Sequence, residues 1–240
     1  MVDGEALSDR SLRAAWDENA RDWVRWARSP ECDHAFWRLN LPALLALLSE
    51  PGKLTLDVGC GEGRVARTLK GLGHHVVVVE SSPVLAEAAS ECDPSFEVHV
   101  ADAEAMPLPN DVADLAIGSL SLMNMDDVPA VVREIARVLR PRGRFCFSVI
   151  HPVNSWADAS AGYFETVRYT EVLEHNGARM RLHDTHRPLE DCFGAVHDAG
   201  FLVERVAEPV PDDAYLAVFP EAARRRERPG FLRFRAVLGR

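Results

Sequence analysis

The chain of 240 residues carries a formal net charge of −10, which argues against a broad phosphate-binding surface and predicts no nucleic-acid partner. Its five cysteines have no paired spacing, and no composition shift or low-complexity linker divides the chain, so we expect one α/β domain without a disulfide framework. Because it has no signal peptide and no apolar run of about eighteen residues, the sequence predicts a soluble, cytoplasmic protein with no membrane partner.

The leader before Leu41 is rich in large aromatic side chains. Helical spacing within it predicts an amphipathic helix, and a second apolar helix is expected over residues 42–48. The residues that define the first helix are Trp16, Ala20, Trp23 and Ala27. The simplest interpretation is that the aromatic rings seal one end of a sheet, and the alternative is that they cover a ligand.

The stretch from Lys53 to Pro83 predicts a β-α-β unit with a ligand loop. Its apolar run, residues 54–58, suits a strand buried on both faces. Three glycines then follow at two-residue spacing: Gly59, Gly61 and Gly63. Glycine permits positive φ and close approach of a ligand, while the unpaired N–H groups of the following helix favour an anionic group. Glu80 ends the second strand, where a carboxylate can accept hydrogen bonds from ribose hydroxyls.

This loop differs from the dinucleotide fingerprint G-x-G-x-x-G. It reads G-x-G-x-G, and Asp57 stands two residues before the first glycine. An acid beside the loop would repel a pyrophosphate but could receive an ammonium group. S-adenosylmethionine (SAM) carries an ammonium group, a carboxylate and a ribose diol, so the local chemistry favours SAM over NAD.

The segment DVGCGEG, which begins at Asp57, and the segment ESSP, which begins at Glu80, resemble the class I SAM-dependent methyltransferases. The resemblance is to the small-molecule, type 11 group of that family. It implies an α/β, Rossmann-like sheet of seven mostly parallel strands, with helices on both faces and an antiparallel hairpin at one edge. It also implies a set of SAM-binding residues: Asp57, Gly59, Cys60, Gly61, Glu80, Ser81, Asp102, Ala103 and Ser119.

Two further strands are expected to carry parts of this site. Asp102 follows a strand over residues 96–100, and in the family an acid there accepts from the adenine amino group while its neighbour's backbone helps to read the ring. An acid after a strand is, by itself, as often a turn residue. The strand over residues 114–120 leads into a loop that lacks the Asn-Pro-Pro-aromatic sequence typical of amide-directed methyltransferases. A small-molecule acceptor therefore fits better.

After a fifth strand over residues 144–150, the resemblance weakens. Residues 163–175 and 178–186 are predicted to form a hairpin through Asn176-Gly177, which we interpret as an inserted lid or substrate-pocket wall. A helix over residues 189–199 and strands over residues 201–206 and 231–238 complete the chain. The expected organisation is a single domain with four parts: a helical cap (1–50), a SAM-binding core (51–150), the lid segment (151–187) and a C-terminal helix with edge strands (188–240).

Methyl transfer is an in-line displacement, and a base helps when the acceptor has a proton to lose. His151 is the predicted base because strand topology places it beside the ligand crevice; the alternative is a histidine bonded to backbone at a strand end. Family precedent for the leader and the position of the strand ends predict further substrate contacts: His34, Phe36, Trp37, Met123, His151 and Tyr163.

No metal site is predicted. His183 and His186 are three residues apart in an extended segment, so their imidazoles should point to opposite faces. The basic cluster between residues 224 and 228 is interpreted as a solvated helix end.

Taken together, these features predict transfer of a methyl group from SAM to an oxygen or nitrogen of a small molecule, for which a specialised metabolite is one candidate. The alternatives are an enzyme that uses SAM for cyclisation or decarboxylation, a SAM-binding regulatory subunit and, least favoured, an NAD-dependent oxidoreductase. The acceptor and the oligomeric state are left open by the sequence.

Overall fold

The computed structural model describes residues 11–159, 162–175 and 177–240. Asn176, the first residue of the predicted Asn-Gly turn, and the first ten residues of the predicted cap lie outside these ranges. No helix among the described residues is long and apolar enough to cross a bilayer.

The central sheet has seven strands in the order β3-β2-β1-β4-β5-β9-β8. Strands β1 to β5 run parallel to one another, and β9 pairs antiparallel with both β5 and β8. The predicted fold class is therefore confirmed. The strands of this sheet are β1 (Thr55–Val58), β2 (Val76–Glu80), β3 (Glu97–Val100), β4 (Ala113–Ser119), β5 (Leu139–Ile150), β8 (Phe201–Ala207) and β9 (Phe231–Leu238).

Helices flank the sheet and a separate two-stranded hairpin follows β5. The helices are α1 (Leu12–Ala27), a π-helix (Phe36–Asn40), α2 (Leu41–Leu45), α3 (Arg64–Gly71), α4 (Pro83–Cys92), a 3-10 helix (Leu122–Asn124), α5 (Val128–Val138), α6 (Pro152–Ala159), α7 (Leu189–Asp198), α8 (Asp213–Val218) and a second 3-10 helix (Pro220–Arg226). The hairpin consists of β6 (Val167–His175) and β7 (Ala178–His186).

The central strands are buried on both faces because helices cover each side of the sheet. Side chains alternate along β2: Val77 and Val79 join the core cluster that contains α5, while Val76 and Val78 join the cluster that contains α3. This two-sided burial explains why these strands appear in the sequence as continuous apolar runs.

The helix predicted over residues 42–48 is wrong in its boundaries. The chain enters it through the π-helix, and α2 ends at Leu45. Arg233, which is fully buried, donates from Nη2 to the carbonyl oxygen of Leu39 (3.1 Å) and from Nε to that of Asn40 (3.2 Å). These two carbonyl oxygens thus accept hydrogen bonds from a side chain of β9, which accounts for the irregular backbone hydrogen bonding of the helix at this point.

Two strand boundaries also differ from the prediction. The fifth strand begins at Leu139 rather than residue 144, because Leu139 already pairs with Ala113; the register then shifts before Arg144, where Arg142 adopts a φ of 65°. The hairpin begins at Val167 rather than residue 163, since the carbonyl oxygen of Tyr163 bonds with the His186 ring (2.8 Å) instead of a strand partner.

The start of β1 is fixed to β4 by one carboxylate. Asp114 Oδ2 accepts from the backbone N–H groups of Lys53 and Leu54, and its Oδ1 accepts from Arg140 Nη1 at 2.8 Å. Desolvation opposes ionisation, but the hydrogen bonds from Leu54 and Lys53 and the Arg140 charge lower the pKa of Asp114.

We expect Asp114→Ala to lower the free energy of unfolding by about 1–3 kcal/mol at neutral pH, because two backbone donors lose their acceptor. The folded-state pKa lies below its unfolded value, so this stability is present above the unfolded pKa and is lost as pH falls through the folded pKa. Urea titrations from pH 7 down to pH 3 should show the gap between the two proteins narrowing. A constant gap would contradict the role of ionised Asp114.

Candidate active site

A cavity of about 630 Å³ opens beyond the carboxyl ends of the parallel strands. Asp57 lines it from β1, Glu80 from β2, Ser119 from β4 and Ile150 from β5. Ligands of open α/β sheets bind at this edge, where neighbouring loops diverge. The cavity therefore lies where the sequence predicts a ligand site.

The loop after β1 packs so closely that two of its glycines are required. Gly59 has a φ of 67° and Gly61 a φ of 59°. A Cβ at Gly59 would lie 2.8 Å from the Cβ of Ser121, and one at Gly61 would lie 3.2 Å from Trp23 Nε1. Ser121 in turn donates to the carbonyl oxygen of Val58 at 2.8 Å, which ties the β4 loop to the glycine loop.

Glu80 shapes the same loop from the next strand. The N–H of Gly61 donates to Glu80 Oε2 and the N–H of Ser82 donates to Glu80 Oε1, both at 2.9 Å. Burial raises the pKa of Glu80, while these hydrogen bonds lower it. The carboxylate is thus held at the cavity edge in one orientation.

Asp57 is the most unusual group in the cavity wall. Its side chain is 1% exposed, and its Oδ2 atom has no hydrogen-bond partner. Burial, followed by the nearby charge of Glu80, raises the pKa of Asp57 to about 7. A buried carboxylate oxygen without a donor fits an ammonium group of a ligand, which would supply both the missing charge and the missing hydrogen bonds.

The other predicted cofactor residues fall into two groups. Cys60, Ser81, Asp102 and Ser119 line the cavity, whereas Ala103 lies in the core and does not. Asp102 forms an ion pair with Arg13 at 3.3 Å. Burial raises the pKa of the Cys60 thiol well above its usual range, which gives no support to a nucleophilic role.

Helix α1 forms the roof over the glycine loop. Ser82 donates to Asp17 at 2.6 Å, and Arg28 donates to Glu62 at 3.1 Å. At the same time the Trp16 indole N–H donates to the carbonyl oxygen of His183 in β7 at 2.8 Å. The leader thus joins the glycine loop to the hairpin, and the aromatic groups do more than seal one end of the sheet.

Among the predicted substrate contacts, His34 and Met123 line the cavity, but Phe36 and Trp37 do not. Phe36 is 1% exposed and lies under the guanidinium of Arg64, 3.3 Å from the ring centroid to Cζ. Trp37 packs edge-on against Phe36. The prediction for these two rings is corrected: they support Arg64, which lines the cavity and pairs with Asp33 at 2.7 Å.

His151 and Tyr163 also lie outside the cavity lining. His151 Nδ1 accepts from the N–H of Val153 at 3.1 Å, and its Nε2 lies 2.9 Å from Glu208. The Tyr163 hydroxyl accepts from the N–H of Leu189 at 3.2 Å. Both side chains are occupied with local structure, so the geometry corrects their placement at the acceptor.

The two histidines excluded as a metal pair have different partners. His183 Nδ1 lies 3.0 Å from Thr170 Oγ1, whereas His186 is fully buried with Nδ1 2.8 Å from Ser155 Oγ. Within the described ranges, no group of three or more His, Cys, Asp or Glu side chains is arranged to hold a metal ion.

Sequence reasoning missed the contribution of residues 212–231. Arg224 and Arg225, interpreted as a solvated helix end, line the cavity together with Glu221 and Phe231. No motif or spacing in the sequence marks this segment. Its short helices precede β9, and their place beside the cavity follows from the antiparallel pairing of β9 with β5.

The comparisons with known proteins agree with this geometry. Residues 56–147 match a family model described as a methyltransferase domain. The chain is 32% identical over 102 residues to the malonyl-[acyl-carrier protein] O-methyltransferase of Serratia marcescens, covering 42% of this chain and 40% of that protein. It is 29% identical over 134 residues to a ubiquinone/menaquinone biosynthesis C-methyltransferase of Caulobacter vibrioides, covering 50% and 52%. The chain thus spans about half or less of the length of these curated relatives.

A solved structure extends the similarity over more of the fold. A SAM-dependent methyltransferase from Mesorhizobium loti aligns with a TM-score of 0.66 and 28% identity, covering 85% of this chain and 97% of that one. Residues 56–147 therefore match a methyltransferase domain, and the fold is that of class I SAM-dependent methyltransferases. These similarities support the predicted resemblance and enzyme class, with SAM as the cofactor of that family, and they disagree with the NAD-dependent alternative.

We expect Asp57→Asn to stabilise the ligand-free protein by about 1–4 kcal/mol at pH 8. Burial raises the pKa of Asp57 to about 7 from the ordinary aspartate value of 3.8, so ionisation of Asp57 disfavours folding progressively between these values and fully above pH 7. Urea titrations at pH 8 and pH 4 should show a large gain at the higher pH and little at the lower one. Equal stability at pH 8 would contradict the burial of an unpaired charge.

Gly59→Ala should prevent the β4 loop from seating on the glycine loop, because the added Cβ would require both a positive φ and a 2.8 Å contact. We expect a loss of about 2–4 kcal/mol in the free energy of unfolding. The matched variant Gly71→Ala has open space at its Cβ and no positive φ, so it should leave stability nearly unchanged. Equal melting temperatures for the two variants would disprove the close packing.

Proposed function

We propose that this protein binds SAM in the 630 Å³ cavity and transfers its methyl group to an oxygen or nitrogen of a small molecule. The observation that carries the proposal is the orphaned Oδ2 of Asp57, buried in the cavity wall beside the glycine loop. An ammonium group satisfies both its charge and its hydrogen-bonding capacity.

The neighbouring strands supply the rest of a nucleoside site. Glu80, held by two backbone N–H groups, has the position to accept from ribose hydroxyls, and Asp102 has the position to accept from an adenine amino group. The backbone at Ala103 would support the ring from the core side, whereas Cys60, Ser81 and Ser119 would contact the ligand at the cavity wall.

When bound, SAM supplies an electrophilic methyl group on a sulfonium centre. The protein's own part is to orient the two reactants and to exclude water. Helix α1 and the hairpin would exclude water. Asn124 and Trp16 both donate to the carbonyl oxygen of His183 and so hold β7 over the cavity.

The dimensions and charge of the cavity support a small acceptor. About 630 Å³ is within the usual range of small-molecule sites and must hold both reactants. Carboxylates outnumber the guanidinium groups in its wall, which disfavours a nucleic-acid strand. A soluble, cytoplasmic enzyme without nucleic-acid or membrane partners is the corresponding cellular proposal.

The relatives leave the acceptor atom open. One is described as an O-methyltransferase and another as a C-methyltransferase, and each is matched over about half of its length or less. We retain oxygen or nitrogen because the acceptor end of the cavity is lined by polar and titratable side chains, among them His34, Glu221 and Arg225.

Calorimetric titration with SAM, S-adenosylhomocysteine and NAD tests the cofactor assignment. Both sulfur nucleosides should bind and NAD should not. Glu80→Ala should weaken SAM binding by about 1–3 kcal/mol, since ribose hydroxyls would lose a buried acceptor. The control Glu91→Ala removes an exposed carboxylate from α4 outside the cavity and should bind as wild type. Wild-type affinity in Glu80→Ala would reject the ribose role.

Product analysis separates methyl transfer from the alternatives. With SAM tritiated on the methyl group, label should move from SAM into an organic product while S-adenosylhomocysteine accumulates in equal amount. SAM binding with no transfer to any member of a panel of phenols, carboxylic acids and amines would favour a regulatory subunit or a non-methylating enzyme.

A further inference from the structure

His34 is fixed in the cavity wall by two aromatic neighbours. Its Nδ1 lies 2.9 Å from the Tyr215 hydroxyl, and its ring stacks on Phe219 with centroids 3.9 Å apart and planes 4° apart. The other ring nitrogen, Nε2, has no hydrogen-bond partner among the described residues; it lies 3.7 Å from Glu221 Oε1. An imidazole held in this way presents one free nitrogen in one orientation.

This imidazole lies at the acceptor end of the cavity. Tyr215 belongs to a small core cluster with Leu39 and Phe231, against which Leu120 and Ile150 pack. Leu120 follows β4 and Ile150 ends β5. Asp57 lies in β1 and Glu80 ends β2, and these two strands are on the other side of β4 from β5. A nucleoside held at β1 and β2 would therefore direct its reactive end towards the β4 and β5 side.

The groups around His34 keep it neutral but able to accept a proton. Burial lowers the pKa of His34, the charges of Arg225 and His175 lower it further, and the carboxylates of Glu221 and Asp33 oppose this. Burial also raises the pKa of Tyr215, so its hydroxyl stays protonated. A neutral imidazole with a nearby carboxylate suits a general base, because Glu221 stabilises the imidazolium that forms.

We propose that His34 is the general base for a hydroxyl acceptor, taking the acceptor proton on Nε2 while Tyr215 and Phe219 hold the ring. This inference deepens the proposed methyl transfer and rests on it. The acceptor O–H bond breaks and its proton goes to His34, the acceptor oxygen forms a bond to the methyl carbon, and the methyl–sulfur bond breaks with its electron pair left on sulfur. The products are a methyl ether, S-adenosylhomocysteine and a protonated His34, which releases its proton to water.

His151 fits the role of base less well than His34. Its Nε2 faces Glu208 and its Nδ1 accepts a backbone hydrogen bond, and it does not line the cavity. His34 lines the cavity, its Nδ1 faces the Tyr215 hydroxyl, and its Nε2 lies 3.7 Å from Glu221, beyond hydrogen-bond distance. Tyr215, Phe219 and Glu221 act through His34 and are positioning residues.

Two phenols of different acidity test the proposal, with tritiated SAM as donor at about pH 8.5. At that pH 4-nitrophenol is already ionised and needs no base, whereas 4-methylphenol keeps its proton. The variant His34→Asn retains a group that can bond to Tyr215 but has no basic nitrogen. It should lose about 10²–10⁴-fold in kcat for 4-methylphenol and stay within about threefold of wild type for 4-nitrophenol.

Three further variants separate catalysis from structure. His197→Asn, which changes an exposed histidine, should match wild type with both phenols. Tyr215→Phe should lower kcat for 4-methylphenol by less than His34→Asn does. Glu221→Gln should move the acidic limb of the kcat profile to lower pH, because the lost carboxylate no longer raises the pKa of His34.

The results that would overturn the proposal are distinct from those that would overturn methyl transfer. Equal losses with both phenols in His34→Asn, or a selective loss with 4-methylphenol in His151→Asn instead, would remove His34 as the base. Methylation of amines but of neither phenol by the wild-type protein would reject the hydroxyl acceptor. Failure to bind SAM in calorimetry would reject the underlying function as well.

Discussion

The structure of the site depends on the carboxylate of Asp57, which is buried although its Oδ2 has no hydrogen-bond partner in the protein. Asp57 sits at the end of the central strand β1, with a second carboxylate, Glu80, on the adjacent strand. Burial and mutual repulsion make ionisation of Asp57 unfavourable in the free protein. The packing of the sheet therefore maintains a buried carboxylate whose charge a cationic ligand group would balance, as proposed above.

The surrounding features follow from that constraint. The glycine loop must pass close to the carboxylates, so Gly59 and Gly61 take positive φ and leave no space for a Cβ. The β4 loop closes one side through Ser121, and helix α1 closes the other through Asp17 and Trp23. A ligand would thus be enclosed by protein on two sides, where each hydrogen bond to it counts for more than it would at the surface.

Much of this arrangement was predictable from the sequence because it depends on local patterns. Apolar runs, glycine spacing and Asp57 specified the β-α-β unit and its ligand chemistry, and the order of elements specified the sheet. The acceptor end was not predictable in the same way. His34 and Tyr215 meet across 181 residues of chain, and Arg225 reaches the cavity from a short helix without a motif. His151 was misplaced because the end of a strand gives its edge of the sheet but not the direction of its side chain.

The roof formed by α1 has a consequence for the order of events in turnover. Arg13, Asp17 and Arg28 bond to three separate positions around the nucleoside site, and Trp16 joins the same helix to the hairpin. In the proposed complex, α1 covers the nucleoside end of the cavity, whereas the acceptor end is bounded by the separate segment around Tyr215. Such a layout favours an ordered kinetic mechanism, in which the donor binds first and its spent form leaves last.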